Sequence, residues 1–184
     1  HQYIHYATDG AKRMKQIILD LLDYSRAGRD QQSLEEIDLN QLIEDYKVLR
    51  GKIISEKKVS IHTKDFPKIT GFKAPVTQTL HSLLDNAIKY SKEGIPPKVS
   101  VSLSDKKTHW QLKVEDNGIG IDKRFYDKIF VIFQRLHNND EYEGTGIGLA
   151  VSKKQVESWG GKIWVKSEPG IGSAFYFTIK KPNI

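Results

Sequence analysis

No cysteine occurs among the 184 residues, which removes disulfide frameworks, thiolate zinc sites and cysteine nucleophiles together. No apolar run approaches the roughly 20 residues that a membrane-spanning helix needs, and no signal-peptide pattern opens the chain. The expectation is a cytoplasmic protein with no membrane segment. Internal repeats and low-complexity tracts are also missing. Basic residues outnumber acidic ones, 29 to 23, for a net charge of +6. The lysines are interleaved with acids rather than gathered into runs, so the excess favours anionic partners without pointing to nucleic acid. What the chain does have is 38% apolar residues, enough for a sizeable core in one domain plus an appendage.

Residues 2–27 read as one helix. Ile4, Ala7, Ala11, Met14, Ile18, Leu21 and Ser25 recur at alternating steps of three and four, the spacing of helices packed side by side. A lone helix of this length is marginal in water, so it wants a partner, either the rest of the chain or a second copy. Gly28 and the polar run to Ser33 form a helix stop and linker. The pattern then predicts a short strand at 34–39 and a helix N-capped by Asn40 that carries Leu42, Ile43, Tyr46, Leu49 and Ile53. A strand at 59–63, a short strand near 67–73 and a helix at 75–90 follow. Paired strands at 99–103 and 110–115 precede a glycine-rich, charged stretch at 117–145. A helix at 145–159 ends at Gly160-Gly161, and strands at 162–167 and 173–179 close the chain. Helices and strands mix without a regular βαβ order. That predicts an α+β fold, a two-layer α/β sandwich over a largely antiparallel sheet, preceded by one long N-terminal helix.

Nine of the fourteen glycines fall between Gly118 and Gly172. Asp116-Asn117-Gly118-Ile119-Gly120 and Gly144-Thr145-Gly146-Ile147-Gly148-Leu149-Ala150 stand out, because glycine lets backbone N–H groups approach a ligand closely. The second cluster runs into a helix, whose free N–H groups favour a phosphate. Taken alone it fits a turn equally well; it is neither a Walker A loop nor a dinucleotide fingerprint. On the helix at 75–90, Val76, Leu80, Leu83, Leu84 and Ala87 share one side. Ser82, Asn86 and Lys89 gather opposite. Asn86 can offer a carbonyl oxygen to Mg²⁺ and Lys89 a point charge to phosphate, although a solvated helix face would look the same.

In combination these segments resemble the sensor histidine kinases. Residues Leu83 to Ser91 look like their N box, Asp116–Gly120 their G1 box, Ile129–Leu136 the F box and Gly144–Ala150 the G2 box. The tail, Gly160 to Val165 and Ser167 to Phe175, fits as well, and the wording is most similar to the phytochrome-type branch. The resemblance implies the Bergerat (GHKL) ATP-binding fold over residues 34–184, with ATP and Mg²⁺ as cofactors. It implies Asn86 as the Mg²⁺ ligand, Lys89 and Tyr90 beside the phosphates and ribose, and Asp116 as acceptor for the adenine amino group. Gly118 and Gly120 would shape that wall. A lid would run from about 122 to 143, anchored by Phe130 and Phe133, with Arg135 at the γ-phosphate. Gly144, Gly146 and Gly148 would form the phosphate-side hinge, with Thr145 and Leu149 in the same ATP-binding segment.

Residues 1–28 resemble the second helix of the family's dimerisation hairpin, which implies a homodimer through that helix and a response-regulator receiver domain as partner. The family phosphorylates a histidine followed by an acid. Here the six histidines, at 1, 5, 62, 81, 109 and 137, precede Gln, Tyr, Thr, Ser, Trp and Asn. The expectation is a kinase cut just before that second helix, without the acceptor helix, which binds ATP yet cannot phosphorylate itself on the usual histidine. Ser82 stands where the family often has asparagine and where ATP-hydrolysing relatives place a glutamate base. Serine does no such work at neutral pH, so the reading leans to phosphoryl transfer. A nucleotide-sensing module without transfer, and a GHKL ATPase, are the alternatives.

Overall fold

The computed structural model describes residues 2–28, 33–134, 136 and 144–182, and of residues 2–7, 9 and 13 the backbone alone. The chain forms α1 (Gln2–Arg26), β1 (Glu35–Ile37), α2 (Leu39–Leu49), α3 (Gly51–Glu56), β2 (Ser60–His62), β3 (Ile69–Gly71) and α4 (Lys73–Lys89). It continues through β4 (Lys98–Asp105), β5 (His109–Asp116), α5 (Gly148–Ser158), β6 (Ile163–Glu168) and β7 (Gly172–Lys180), with two 3₁₀ turns at Lys123–Phe125 and Lys128–Phe130.

Five strands make the main sheet in the order β2-β4-β5-β7-β6. The β2–β4 pair is parallel and the other three are antiparallel. Register aligns Val101, Val114, Phe175 and Val165 in one row across four strands, and Leu103, Leu112, Phe177 and Ile163 in the next. Side chains alternate across a strand, so these rows share the face covered by helices. The same alternation along β5 carries Asp116, two residues beyond Val114, onto that inner face. β1 and β3 form a separate antiparallel pair, a pairing with no mark in the local sequence.

α4 and α5 form most of the second layer. Val76, Leu80, Leu83, Leu84 and Ala87 are all buried, as the helical period predicts. Each fully buried leucine contributes about 1.5–3 kcal/mol relative to exposure. α4 starts at Lys73 rather than 75 because Pro75 is accommodated in the first turn, where its missing N–H has no helical acceptor to lose.

Two expectations for α2 fail. The cap is Asp38, whose Oδ1 accepts from the N–H groups of Asn40 (3.0 Å) and Gln41 (3.1 Å). The Asn40 side chain instead brackets the backbone of Phe66, donating to its O at 2.9 Å and accepting from its N–H at 3.0 Å. The helix also breaks at Arg50, before Gly51, leaving Leu49 and Ile53 exposed rather than in the core. The Arg50 guanidinium turns to Asp85 of α4, with Nε to Oδ1 at 2.9 Å and Nη2 to Oδ2 at 2.8 Å. The wholly buried Tyr46 hydroxyl donates to the same carboxylate at 2.9 Å.

α1 lies against α5. Ala27 and Tyr24 pack on Ile147 and Val151, and Lys154 Nζ donates to the Tyr24 carbonyl at 2.7 Å while standing 4.5 Å from that ring's centroid. Gly28 has φ +78°, and a Cβ there would meet Ser158 Cβ at 2.8 Å, so glycine permits the approach. The seam of α1 away from α5 is uncovered, with Met14 62% and Ile18 58% exposed.

Candidate functional site

A cavity of about 290 Å³ opens between the sheet's inner face, α4 and the loop entering α5. Its lining includes Asn86, Lys89, Tyr90, Asp116, Gly120, Gly144, Thr145, Gly146, Gly148 and Leu149. Residues drawn from three separate sequence segments therefore meet at one site.

At one end sits Asp116, the last residue of β5. Its Oδ1 accepts two backbone bonds, from Gly118 N–H at 2.8 Å and Ser173 N–H at 3.1 Å. Oδ2 is left as the acceptor presented to a ligand. Burial pushes the carboxyl above the usual carboxylate range; the Gly118 and Ser173 N–H groups pull it back, Glu115 adds to the rise and Lys92 opposes it.

The loop after Asp116 is pinned on two sides by backbone contacts that tolerate no side chain. Gly118 does not line the cavity; it packs behind the wall, where a Cβ would fall 2.4 Å from the Tyr90 carbonyl oxygen. Gly120 has φ +73°, and its Cβ would fall 2.0 Å from the Glu168 carbonyl oxygen. Ile119 donates to the Tyr90 carbonyl at 3.0 Å and accepts from Gly170 N–H at 2.7 Å. The start of the following segment is anchored by Ser167, whose Oγ accepts from Ile121 N–H at 2.7 Å and lies 2.9 Å from Ser173 Oγ. The Tyr126 hydroxyl accepts from Ser167 N–H at 2.6 Å and donates to the Ser167 carbonyl.

The other end is polar and electropositive. Lys89 Nζ lies 4.4 Å from the Tyr90 ring centroid and 2.6 Å from where a Cβ on Gly144 would stand, so the missing side chain makes room for the ammonium. The helical reading from 145 fails: residues 144–147 stay non-helical and α5 begins at Gly148. Its N-cap, Ile147, supplies no side-chain bond, so the first-turn N–H groups remain donors for an anion. Asn86 projects from α4 into the cavity, and its side-chain amide makes no hydrogen bond to another described residue. A lone amide oxygen fits Mg²⁺, which is commonly held by one or two protein groups and completed by phosphate and water. Ser82 Oγ faces Gly148 (3.2 Å from a Cβ placed there), and Asp85 is turned away in its clamp with Arg50 and Tyr46.

One expectation for the lid segment changes, and another lies outside the described residues. Phe130 is buried, but Phe133 does not line the cavity; it is 51% exposed, on a left-handed backbone with φ +62°. Arg135 and residues 137–143, within the expected lid, lie outside the described residues. The apolar part of the lining comes from Ile119, Ile121, Ile129, Leu136 and Phe175, with Gln134 and Ser173 adding polar groups. None of these carries a local mark of ligand contact, although Ile119, Ile129, Gln134 and Leu136 lie within the motifs. Asp20 of α1 also reaches the cavity and accepts from the Thr145 hydroxyl. No described helix is long and apolar enough to cross a membrane.

The chain is 36% identical over 181 residues to the phytochrome-like protein Cph1 of Synechocystis sp., covering 98% of this chain and 24% of that protein. It spans about a quarter of the length of the phytochromes it matches. The crystal structure of full-length ShkA in complex with AMPPNP superposes with a TM-score of 0.80 at 23% identity, over 99% of this chain and 39% of that one. The histidine kinase ThkA, in complex with the response regulator TrrA, gives 0.73 at 24% identity over 99% of this chain and 51% of that one. At those identities the two structures speak for the fold, a histidine kinase catalytic architecture. Residues 71–183, more than half of the chain, match the family described as histidine kinase-, DNA gyrase B-, and HSP90-like ATPase. The chain belongs to that family.

Proposed function

We propose that this chain is the ATP-binding catalytic region of a two-component sensor histidine kinase acting in the cytoplasm. It would transfer the γ-phosphoryl of ATP to a histidine held on a helix outside these 184 residues, for relay to a response-regulator receiver domain. Residues 34–184 are the ATP-binding unit, and residues 1–28 the second helix of a dimerisation hairpin whose uncovered Met14 and Ile18 seam receives a second copy. The observation that carries this reading is the single cavity shared by Asp116, Asn86, Lys89 and the Gly144–Gly148 loop.

Asp116 accepts the adenine amino group through Oδ2 while its Oδ1 stays fixed by two backbone donors. The apolar wall excludes water from the base. Lys89 and the first-turn amides of α5 neutralise phosphate charge, and positioning with charge neutralisation is most of what phosphoryl transfer asks of a protein. Asn86 would hold Mg²⁺, which supplies charge neutralisation at the phosphate oxygens. Position 82 offers no carboxylate to activate water, and Asp85 is committed to Arg50 and Tyr46, so water is a poor competitor for the phosphoryl group. The AMPPNP bound to ShkA and the TrrA bound to ThkA support the nucleotide and the relay partner by analogy.

The test supplies the full chain with γ-labelled ATP, Mg²⁺ and a separately expressed hairpin carrying an acceptor histidine. Acid-labile label on the hairpin is the expected result. Nucleotide binding without label would identify a sensing module instead, and steady phosphate release would identify an ATPase.

A further inference from the structure

Among the described residues of α1, one side chain reaches the cavity, and it is an acid. Asp20 lines it together with Lys89, Gly144, Thr145 and Gly146. Its Oδ2 accepts the Thr145 hydroxyl and its Oδ1 accepts Gln16 Nε2 at 2.8 Å. Thr145 stands in the loop that opens α5, where Lys89 and the helix N-terminus create a field that favours negative charge. A carboxylate there occupies the electrostatic role of an anionic ligand group. The placement follows from contacts made away from the cavity: the Lys154–Tyr24 bond, the Ala27–Ile147–Val151 cluster and the close approach at Gly28 hold α1 on α5.

We propose that Asp20 is an affinity- and specificity-determining residue of this cavity, its carboxylate competing at Thr145 with the terminal phosphates of a nucleoside triphosphate. The proposal rests on the nucleotide-binding reading above. A triphosphate carries more charge to this end than a diphosphate, so the repulsion falls harder on it. Coupling between sites is reciprocal. Filling the phosphate end therefore loosens the docked helix, and the docked helix lowers triphosphate affinity by the same factor.

Asp20→Asn keeps the size and the acceptor for Thr145 and removes the charge. Equilibrium binding of AMPPNP and of ADP to the full chain, with and without Mg²⁺, reads the effect. The variant binds AMPPNP about fivefold or more tightly, the low end of ordinary coupling between sites. ADP affinity changes less, and the difference shrinks at high ionic strength. Lys154→Ala, which weakens docking from outside the cavity, moves AMPPNP affinity in the same direction. Equal or weaker AMPPNP binding by Asp20→Asn overturns the competition; a loss seen only with Mg²⁺ would make Asp20 a metal-side group. If the parent chain binds neither nucleotide, the reading beneath it falls as well.

Discussion

Replacing Asp116 with asparagine changes one atom and reverses one hydrogen-bonding direction. In the parent, Oδ1 is held by Gly118 N–H at 2.8 Å and Ser173 N–H at 3.1 Å. Those two donors need an oxygen, so Asp116→Asn keeps its carbonyl on that side and points its NH₂ at the ligand. Adenine presents an amino group there, and donor then meets donor. The lost bond, with a charged acceptor, is worth about 1.5–3 kcal/mol, and a buried donor without a partner costs about 1–3 kcal/mol more. The low ends alone total about 2.5 kcal/mol, roughly a 60-fold rise in Kd. The fold keeps both backbone bonds, so melting temperature changes little. Titration calorimetry with ADP and GDP measures the outcome, because guanine presents a carbonyl at the corresponding edge and gains what adenine loses. Unchanged ADP affinity, or a loss shared equally by both nucleotides, would refute the assignment of Asp116 as the base-reading group.

Two further outcomes follow from the same wall. On the proposed reading, adenine recognition needs the ionised Asp116, so ADP affinity declines as pH falls through a pKa that burial holds above the ordinary carboxylate value; the decline begins at a higher pH than an exposed aspartate would give, and an affinity flat across the acidic range contradicts it. The stability effect has the opposite sign: with a raised folded pKa, the contribution is full below the unfolded pKa and is lost as pH rises through the folded one. Gly172 has φ +148°, and a Cβ there would stand 2.0 Å from the Asp116 carbonyl oxygen. Gly172→Ala must part β5 from β7 beside the site, costing about 2–4 kcal/mol through overpacking and backbone strain. Thermal unfolding should show a drop of roughly 5–15 °C, and a melting temperature within a degree of the parent would show that the edge yields freely.

Much of this arrangement is written in short-range patterns. The apolar stripe of α4 and its opposite polar residues follow from a 3.6-residue period that no neighbour overrides, and both faces sit where that period puts them. Alternation along β5 places Asp116 inward once Leu112 and Val114 are inward. What the local pattern withholds is contact across distance. Asp20 and Thr145 are 125 positions apart, and nothing near either residue announces the other. The Tyr126–Ser167–Ser173 cluster joins a hydroxyl from the charged stretch after β5 to two from paired residues of β6 and β7, and nothing near Tyr126 announces them. The helix breaks at Arg50, whose guanidinium meets a carboxylate 35 residues later, so a helical stripe extended through Leu49 and Ile53 overshoots. Phe133 shows the same limit: the resemblance makes it a lid anchor, and its side chain stands half exposed.

The clamp on Asp85 has a consequence for its neighbour. Successive residues of a helix are offset by about 100°, so fastening the carboxylate at 85 sets the azimuth of the amide at 86. Tyr46 and Arg50 act as an indexing pin, stopping α4 from rolling about its own axis. The aim of Asn86 is thus governed by two side chains that never reach the chamber it faces, and natural variation at positions 46 and 50 would shift that aim from behind.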